Sequence, residues 1–304
     1  MSLIFLFVDG LGLAPSGPSN PLSTLPTPAL RGLLGGALTT ERIGATSRVL
    51  LRPIDATLGV EGLPQSGTGH VALLVGMNAA AAFGRHYPGF PPTMLRPLLA
   101  EQSIYHHLHA LGRRTAFANA FTASYWAHLA TRRGRRSASV IAAEGAGVRF
   151  RTLADLRAGQ ALMWDITNHA LVGHPEDPAI PVISPEVAGA NLARLATDHD
   201  FVFYECSLLD LAAHGRTSFS LEEGIARVDG LIGGVLANLG SHTLLITSDH
   251  GNIEDTTAHG HTRNPVPLLV VGPDPQFFAD LNAIDQVPQA ICNYVRIDTN
   301  LNHP

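Results

Sequence analysis

Short apolar runs recur along the chain, separated by segments with a helical period. The runs at residues 3–8 and 243–247 lack polar alternation and predict strands buried on both faces. Further strands are predicted at residues 115–121, 200–205 and 268–271. Helices are predicted at 101–112, ending at Gly112, at 185–196, with Ser184 as N-cap and Pro185 in first position, and at 221–239. This alternation predicts an α/β fold with three α/β/α layers and a mostly parallel central sheet.

The periodic pattern weakens between residues 121 and 186. We predict that this stretch is a small inset cap over the working edge of the sheet, and that residues 1–120 and 187–304 form the core. The inset contains a basic cluster of Arg132, Arg133, Arg135 and Arg136. Such a cluster is usually a solvated face, and the alternative is that it binds a substrate phosphate.

Composition narrows the possible chemistry. The chain has 304 residues, of which 45% are hydrophobic and 15% charged, which is typical of a globular protein with a large core. All 20 basic residues are arginine, so Schiff-base chemistry on lysine is excluded and any basic contact to a phosphate must come from arginine. The net charge of −5 gives no electrostatic reason to expect a nucleic acid.

The sequence also predicts the cellular location of the protein. No run reaches the ~18 apolar residues of a membrane span, so we expect no membrane partner. The apolar N-terminus lacks a basic segment and a cleavage site, and so indicates a strand instead of a signal peptide. The only cysteines are Cys206 and Cys292, which suits a reducing compartment and predicts a cytoplasmic location. The sequence carries no signal for the oligomeric state.

Acidic and imidazole side chains follow the predicted strands. Asp9 comes after the first strand, Asp249 and His250 follow the strand at 243–247, and Asp210 and His214 have the i, i+4 spacing of one helix face. Parallel α/β sheets bind ligands at the carboxyl ends of their strands, where these residues could hold a metal. Taken singly, Asp9 is more typical of a turn than of a metal site, whereas the Asp210–His214 pair is equally typical of a helix surface and of a metal site.

A glycine-rich turn at residues 62–70 leads into an apolar helix. A hydroxyl at a helix N-terminus faces unpaired N–H groups and the positive end of the helix dipole, which favours phosphate oxygens and an alkoxide. Ser66 and Thr68 are both candidates for this position. The alternative is that either residue is a plain N-cap.

Five stretches occur in a characteristic order: Asp9, then Ser66 to His70, Asp210 to His214, Ser248 to Asn252, and His261 to Pro267. This order resembles the alkaline phosphatase superfamily, and most of all the branch of cofactor-independent phosphoglycerate mutase and phosphopentomutase. The Asp-His-Gly-Asn and His-Thr-x-Asn-Pro-Val-Pro elements are the specific ones.

The resemblance implies two divalent metal ions, and the ligand types suit Mn²⁺ or Zn²⁺. It assigns Asp210, His214 and His261 to one ion, and Asp9, Asp249 and His250 to the other. Ser66, four residues before His70, would be the nucleophile and would bridge toward the second ion. An alignment shifted by two residues would replace His261 by His259.

Two departures bear on the activity. The chain is much shorter than the phosphoglycerate mutases, and it lacks the lysine that those enzymes use near the phosphate. The segment Ser66-Gly67-Thr68-Gly69 also lacks the pattern that sulfatases modify. We therefore expect a two-metal phosphoester hydrolase or phosphotransferase that acts through phosphoserine on a small phosphorylated metabolite. The alternatives are a phosphomutase and a catalytically degenerate metal-binding protein on the same fold.

Overall fold

The computed structural model describes residues 2–297, which contain a seven-stranded sheet. In sheet order, β2-β3-β7-β6-β1-β5-β4, the last four strands are parallel. Strands β7, β3 and β2 complete the other edge in antiparallel pairs, so that β3 points the same way as the parallel four. The strands are β1 (Leu3–Val8), β2 (Gly44–Ala45), β3 (Val49–Ile54), β4 (Thr115–Phe117), β5 (Phe201–Cys206), β6 (Thr243–Thr247) and β7 (Val266–Val271).

Helices cover both faces of the sheet, as the three-layer α/β/α prediction requires. The α-helices are α1 (Pro21–Thr24), α2 (Pro28–Leu34), α3 (Ser66–Val75), α4 (Ala79–Phe83), α5 (Arg96–Gln102), α6 (Ile104–Ala110), α7 (Ala123–Leu129), α8 (Ala138–Gly145), α9 (Leu153–Arg157), α10 (Pro185–Leu195), α11 (Leu208–Ala213), α12 (Leu221–Ala237) and α13 (Val287–Ile297). Short 3₁₀ segments lie at Thr40–Arg42, Thr93–Leu95, His169–Leu171, Pro275–Phe278 and Ile284–Gln286.

The side chains of strand β1 pack into two hydrophobic cores, one on each face of the sheet. Phe5 and Phe7 pack into the cluster formed with α3, α5, α6, α8 and α13, whereas Leu6 and Val8 pack into the cluster formed with α10, α11 and α12. Successive side chains of a strand point to opposite faces, so a strand covered on both sides must be apolar at every position. All six residues of β1 are buried accordingly.

Two predicted elements differ in extent from the observed ones. Strand β4 ends at Phe117 and not at residue 121, because Asn119 and Ala120 form bridges with Leu162 and Arg151 of the inset. The predicted helix at 101–112 is two helices, since Ser103 adopts an extended conformation between α5 and α6.

The predicted inset contains helices that pack in different ways. Helix α8 is buried along its first six residues and joins the same hydrophobic cluster as α3 and α5. Leu156, Met163, Leu171 and Ile180 instead form a small cluster with Ala120 and Ala161. The boundaries of a cap at 121 and 186 stay a prediction. Among residues 2–297, the helices are all too short or too polar to cross a bilayer.

Candidate metal centre

The carboxyl ends of β5, β1 and β6 lie side by side, because Val8 is in register with Cys206 and Phe7 with Thr247. Asp9 follows β1 directly, and Asp249 and His250 follow β6 after one residue. Helix α11 begins two residues after β5 and carries Asp210. The strand register therefore gathers the predicted ligands at one edge of the sheet.

Asp9, Asp249 and His250 form the first group of ligands, and all three are buried. The Nε2 atom of His250 lies 3.3 Å from Asp9 Oδ1 and 3.4 Å from Asp249 Oδ2. These two carboxylate oxygens are buried and have no hydrogen-bond partner among the described residues. Because buried anionic oxygens are costly unless a positive charge offsets them, this group fits a bound cation.

Asp210, His214 and His261 form the second group. The Nε2 atoms of His214 and His261 lie 3.2 Å apart and 3.3 and 3.6 Å from Asp210 Oδ1. His261 Nδ1 lies 2.8 Å from the carbonyl oxygen of Pro64, which only accepts, so Nδ1 donates to that oxygen and Nε2 is the ring nitrogen that faces Asp210. Two imidazole nitrogens converging on one carboxylate are a donor set that fits a divalent ion.

The two groups adjoin each other. The rings of His250 and His261, one from each group, are stacked with their centroids 3.6 Å apart and an interplanar angle of 17°. His259 is exposed, whereas His261 is in the group, so the structure gives no support to the shifted alignment.

Ser66 is the first residue of α3, and its hydroxyl lies 3.0 Å from His250 Nε2. Thr68 is fully buried, and its hydroxyl donates to the carbonyl oxygen of Gln65 and accepts from the N–H of Tyr87. Of the two hydroxyls, only that of Ser66 reaches the ligand groups. The N-cap position is occupied by Gln65, so the plain N-cap interpretation is wrong for both candidates.

Burial shifts the pKa values of two ligands in opposite directions. Burial, and then the charge of Asp249, raise the pKa of Asp9 to about 6. Burial lowers the pKa of His250 to about 4. At neutral pH, Asp9 is therefore ionised and His250 is neutral, which are the states that metal ligation needs.

The family model of the Metalloenzyme superfamily matches residues 1–299. The chain belongs to the Metalloenzyme superfamily. This superfamily is alkaline phosphatase-like, and membership implies divalent metal ions, for which the two ligand groups are candidates.

Curated relatives of this metalloenzyme match shorter segments. The 2,3-bisphosphoglycerate-independent phosphoglycerate mutase of Syntrophotalea carbinolica is 32% identical over 126 residues, which cover 36% of this chain and 24% of the mutase. The phosphopentomutase of Levilactobacillus brevis is 34% identical over 111 residues, covering 35% of this chain and 28% of that protein. The matched segments thus span about a quarter of these relatives.

A solved structure shares the fold of this metalloenzyme over nearly its whole length. The alkaline phosphatase from the Antarctic bacterium TAB5 aligns with a TM-score of 0.53, at 13% identity, over 97% of both chains. At this identity the likeness shows the fold alone, and it supports the three-layer α/β/α architecture.

His70 of the metalloenzyme lies at the first group of ligands, although the sequence identified it only as the residue that sets the position of Ser66. Its Nε2 atom is 3.1 Å from Asp249 Oδ2 and 3.5 Å from Asp9 Oδ2. Burial by itself lowers the pKa of His70, but Asp249 and then Asp9 outweigh it and hold that pKa well above its ordinary value. Without a metal, a His70 imidazolium therefore offsets the two carboxylates.

Glu254 is a second residue that the sequence motifs do not single out. Its buried carboxylate accepts from the backbone N–H of Asn252 at 2.8 Å, from the Asn264 amide at 3.0 Å, and from the Thr262 hydroxyl. Asn252 in turn donates to Asp210 Oδ1 at 2.8 Å. Gly12 packs so closely on the Glu254 carboxyl group that a Cβ there would overlap it. Through these hydrogen bonds, Glu254 holds the loop between Gly251 and Asn264 in place beside the ligands.

The four arginines of the inset have different surroundings. Arg133 and Arg135 line a cavity that also contains Glu205. Arg136 pairs with Glu144 at 2.9 Å, and Arg132 is exposed. The structure therefore brings two of the four predicted residues to a cavity.

Proposed function

We propose that this protein is a two-metal phosphoester hydrolase in which Ser66 is the nucleophile. The observation that carries the proposal is the position of Ser66: its hydroxyl lies at the N-terminus of α3 and 3.0 Å from His250, a member of the first ligand group. Asp9, Asp249 and His250 would hold one ion, Mn²⁺ or Zn²⁺, with Ser66 beside it. Asp210, His214 and His261 would hold the other.

The residues of the chain supply position and electrostatics. Ser66 Oγ attacks phosphorus in line with the departing ester oxygen, forming phosphoserine, and water then releases inorganic phosphate. The positive end of the α3 dipole favours the phosphate oxygens beside Ser66. When bound, the two ions would lower the pKa of the hydroxyl and stabilise the attacking and leaving oxygens.

A phosphomutase is the second candidate, and the mutase activities of the matched relatives favour it. A mutase must keep its product bound and exclude water while the phosphoserine survives. A cap of about the size predicted at 121–186 can select a substrate but encloses little of it. We therefore favour transfer of the phosphoryl group to water. The small phosphorylated substrate and the cytoplasmic location remain predictions from the sequence.

The nucleophile is tested by a pair of variants two residues apart. Ser66→Ala should remove hydrolysis of p-nitrophenyl phosphate in Mn²⁺ or Zn²⁺, with a loss of at least about a thousandfold, while the metal content measured by elemental analysis is unchanged. Acid-quenched wild-type protein should carry a phosphate on Ser66 in a mass spectrum.

The control is Thr68→Val, which keeps the volume of a buried side chain and loses only its hydroxyl. We expect it to melt at a slightly lower temperature and to retain turnover. Turnover that persists in Ser66→Ala and vanishes in Thr68→Val would reverse the assignment of the nucleophile.

A further inference from the structure

A cavity of about 510 Å³ opens beside the carboxyl edge of the sheet, between the core and the inset. Most of its wall is aromatic or aliphatic, contributed by Phe90, Phe121, Tyr125, Leu129, Met163 and Trp164. Its volume is in the range of pockets that bind small molecules.

The cavity adjoins the metal centre on two sides. Glu205, which lines it, has Oε1 3.9 Å from Nδ1 of His70, and His70 contacts Asp249. On the other side, a Cβ added to Gly67 would lie 2.8 Å from the carbonyl oxygen of Phe90. Since Gly67 follows Ser66, the backbone of a wall residue touches the first turn of the helix that carries the nucleophile. The cavity therefore lies close to the place where the alcohol of the substrate would separate from phosphorus.

The aromatic wall is held in place by its own packing. The ring of Phe121 is 4.9 Å from that of Tyr125, 5.6 Å from Phe117 and 5.5 Å from Phe150, between ring centroids. Phe150 in turn lies 4.7 Å from Trp126. Aromatic rings prefer tilted or offset contact with other flat rings, so this surface favours a planar apolar group.

Several polar side chains in the cavity already bond to one another. The Asn119 side chain donates to the carbonyl oxygen of Glu205 and accepts from its N–H, at 2.7 and 3.0 Å. The hydroxyls of Ser137 and Ser139 lie 2.9 Å apart, and Ser139 also donates to the Glu205 carboxylate. A sugar or glycerate hydroxyl placed here would compete with these bonds, and a buried polar group that lacks a partner costs binding free energy.

Arg133 and Arg135 give the cavity a basic, solvent-facing side. Both are exposed, and neither forms an ion pair with a carboxylate within residues 2–297. The Arg135 guanidinium lies 5.9 Å from the centre of the Phe90 ring. Unpaired guanidinium groups bind carboxylates and phosphates in a bidentate manner, so this side favours a second anionic group.

We propose that the substrate is a phosphomonoester whose alcohol carries an aromatic ring, with a second anionic group at the end remote from the ester. The ring would pack against the aromatic wall of the cavity, and the second anionic group would form ion pairs with Arg133 and Arg135. The assignment of substrate class rests on the proposed phosphoester hydrolysis, because it takes the cavity as the site of the leaving group.

The test compares three esters whose alcohols have similar acidity: propyl phosphate, 2-phenylethyl phosphate and 2-(4-carboxyphenyl)ethyl phosphate. With matched leaving groups, differences in kcat/KM report on contacts in the cavity and not on bond reactivity. We expect kcat/KM to rise about tenfold from propyl to phenylethyl, and by about the same factor again with the carboxylate.

Arginine variants separate the two parts of the proposal. The double variant Arg133→Ala with Arg135→Ala should abolish the preference for the carboxylate and leave the preference for the phenyl ring. Arg132→Ala, an exposed neighbour outside the cavity, is the matched control and should keep both preferences. A double variant that retains the carboxylate preference contradicts the role of these arginines.

Binding measurements distinguish failure of this inference from failure of the proposed hydrolysis. The corresponding phosphonates, in which carbon replaces the bridging oxygen, are titrated into the metal-loaded protein by calorimetry. If no ester is hydrolysed but the phosphonates bind in the expected order, the cavity inference stands and the hydrolase proposal fails. Equal affinities for the phenyl and propyl compounds, or no binding of any of the three, overturn the cavity inference whether or not the esters are turned over.

Discussion

Asp9 and His250 face the same proposed ion, yet only Asp9 has to lose a proton near neutral pH. With a pKa of about 4, His250 is neutral over most of the working range, whereas Asp9, with a pKa of about 6, is protonated in mildly acidic solution. Since a cation binds the carboxylate, we predict that Mn²⁺ affinity falls by up to about tenfold for each pH unit below the pKa of Asp9.

Calorimetric titration of Mn²⁺ over this pH range checks the prediction. Asp210→Asn is the control, because it removes a ligand of the other group and should leave this dependence in place. An affinity for the first ion that does not change across the titration of Asp9 contradicts the assignment of Asp9 as a ligand.

Asp249 is fully buried, and its Oδ2 atom lies 3.1 Å from Nε2 of His70 and 3.4 Å from Nε2 of His250. Asp249→Asn keeps the shape of the side chain but removes its charge, so we predict that bound metal falls from about two ions to about one per chain. Elemental analysis of protein purified without chelator measures this. The exposed Asp198→Asn should leave the count unchanged. Wild-type protein that binds no ion in saturating Mn²⁺ and Zn²⁺ would rule out the two-metal proposal.

At the scale of single residues, the sequence identifies site residues that belong to a motif. It does not identify residues that reach the site only through tertiary contacts. Asp249 and His250 stand next to each other after an apolar run, so their position is visible in the sequence. Glu254 has no such signal, because its three hydrogen-bond donors come from Asn252, Thr262 and Asn264, and only the folded loop brings them together. His70 joins the ligands because α3 packs closely against Asp249, where a Cβ added to Gly69 would lie 2.8 Å from the Asp249 Cβ.

At the scale of elements, strands buried on both faces were the easiest to predict. Strands β1 and β6 read as continuous apolar runs because both sheet faces are covered by helices. The break at Ser103 was not visible, because the apolar spacing of Ile104 and Leu108 continues a helical period on one side of it. Leu111, which extends that period, is exposed and lies after the helix. Periodicity shows that a helix exists more reliably than where it ends.

Glu254 accepts three hydrogen bonds from the loop that follows β6. Glu254→Ala would leave three donors without their acceptor, so we predict a loss of about 3 kcal/mol in the free energy of unfolding and weaker metal binding through Asn252 and Asp210. Glu254→Gln, which retains one acceptor oxygen, should recover part of both. Denaturant unfolding and Mn²⁺ titration measure these effects. A Glu254→Ala protein with wild-type stability and metal affinity would show that the loop holds its shape without this carboxylate.

At the scale of the whole molecule, the alternation of strands and helices predicted the α/β class and its layers, but not the packing of the inset. Helix α8 lies within the predicted inset and yet packs into the main hydrophobic cluster. Its sequence is short and rich in alanine, so nothing in its period distinguishes a helix that covers a site from one that completes a layer. Which helix packs on which sheet face depends on contacts between distant segments.

The fate of the phosphoryl group depends on how completely the chain encloses its substrate. Arg133 and Arg135, at the cavity that adjoins the metal centre, are both exposed, so water reaches that side of the site. Water competes with a product hydroxyl for phosphoserine unless the site closes. We therefore predict that phosphomonoesters yield inorganic phosphate and little or no isomer.

Phosphorus NMR of reactions with 2-phosphoglycerate, ribose 1-phosphate and 2-phenylethyl phosphate follows both products in one spectrum. Ser66→Ala should produce neither. Stoichiometric isomer formation with little free phosphate would show that the phosphoserine is shielded from water and would identify the protein as a phosphomutase.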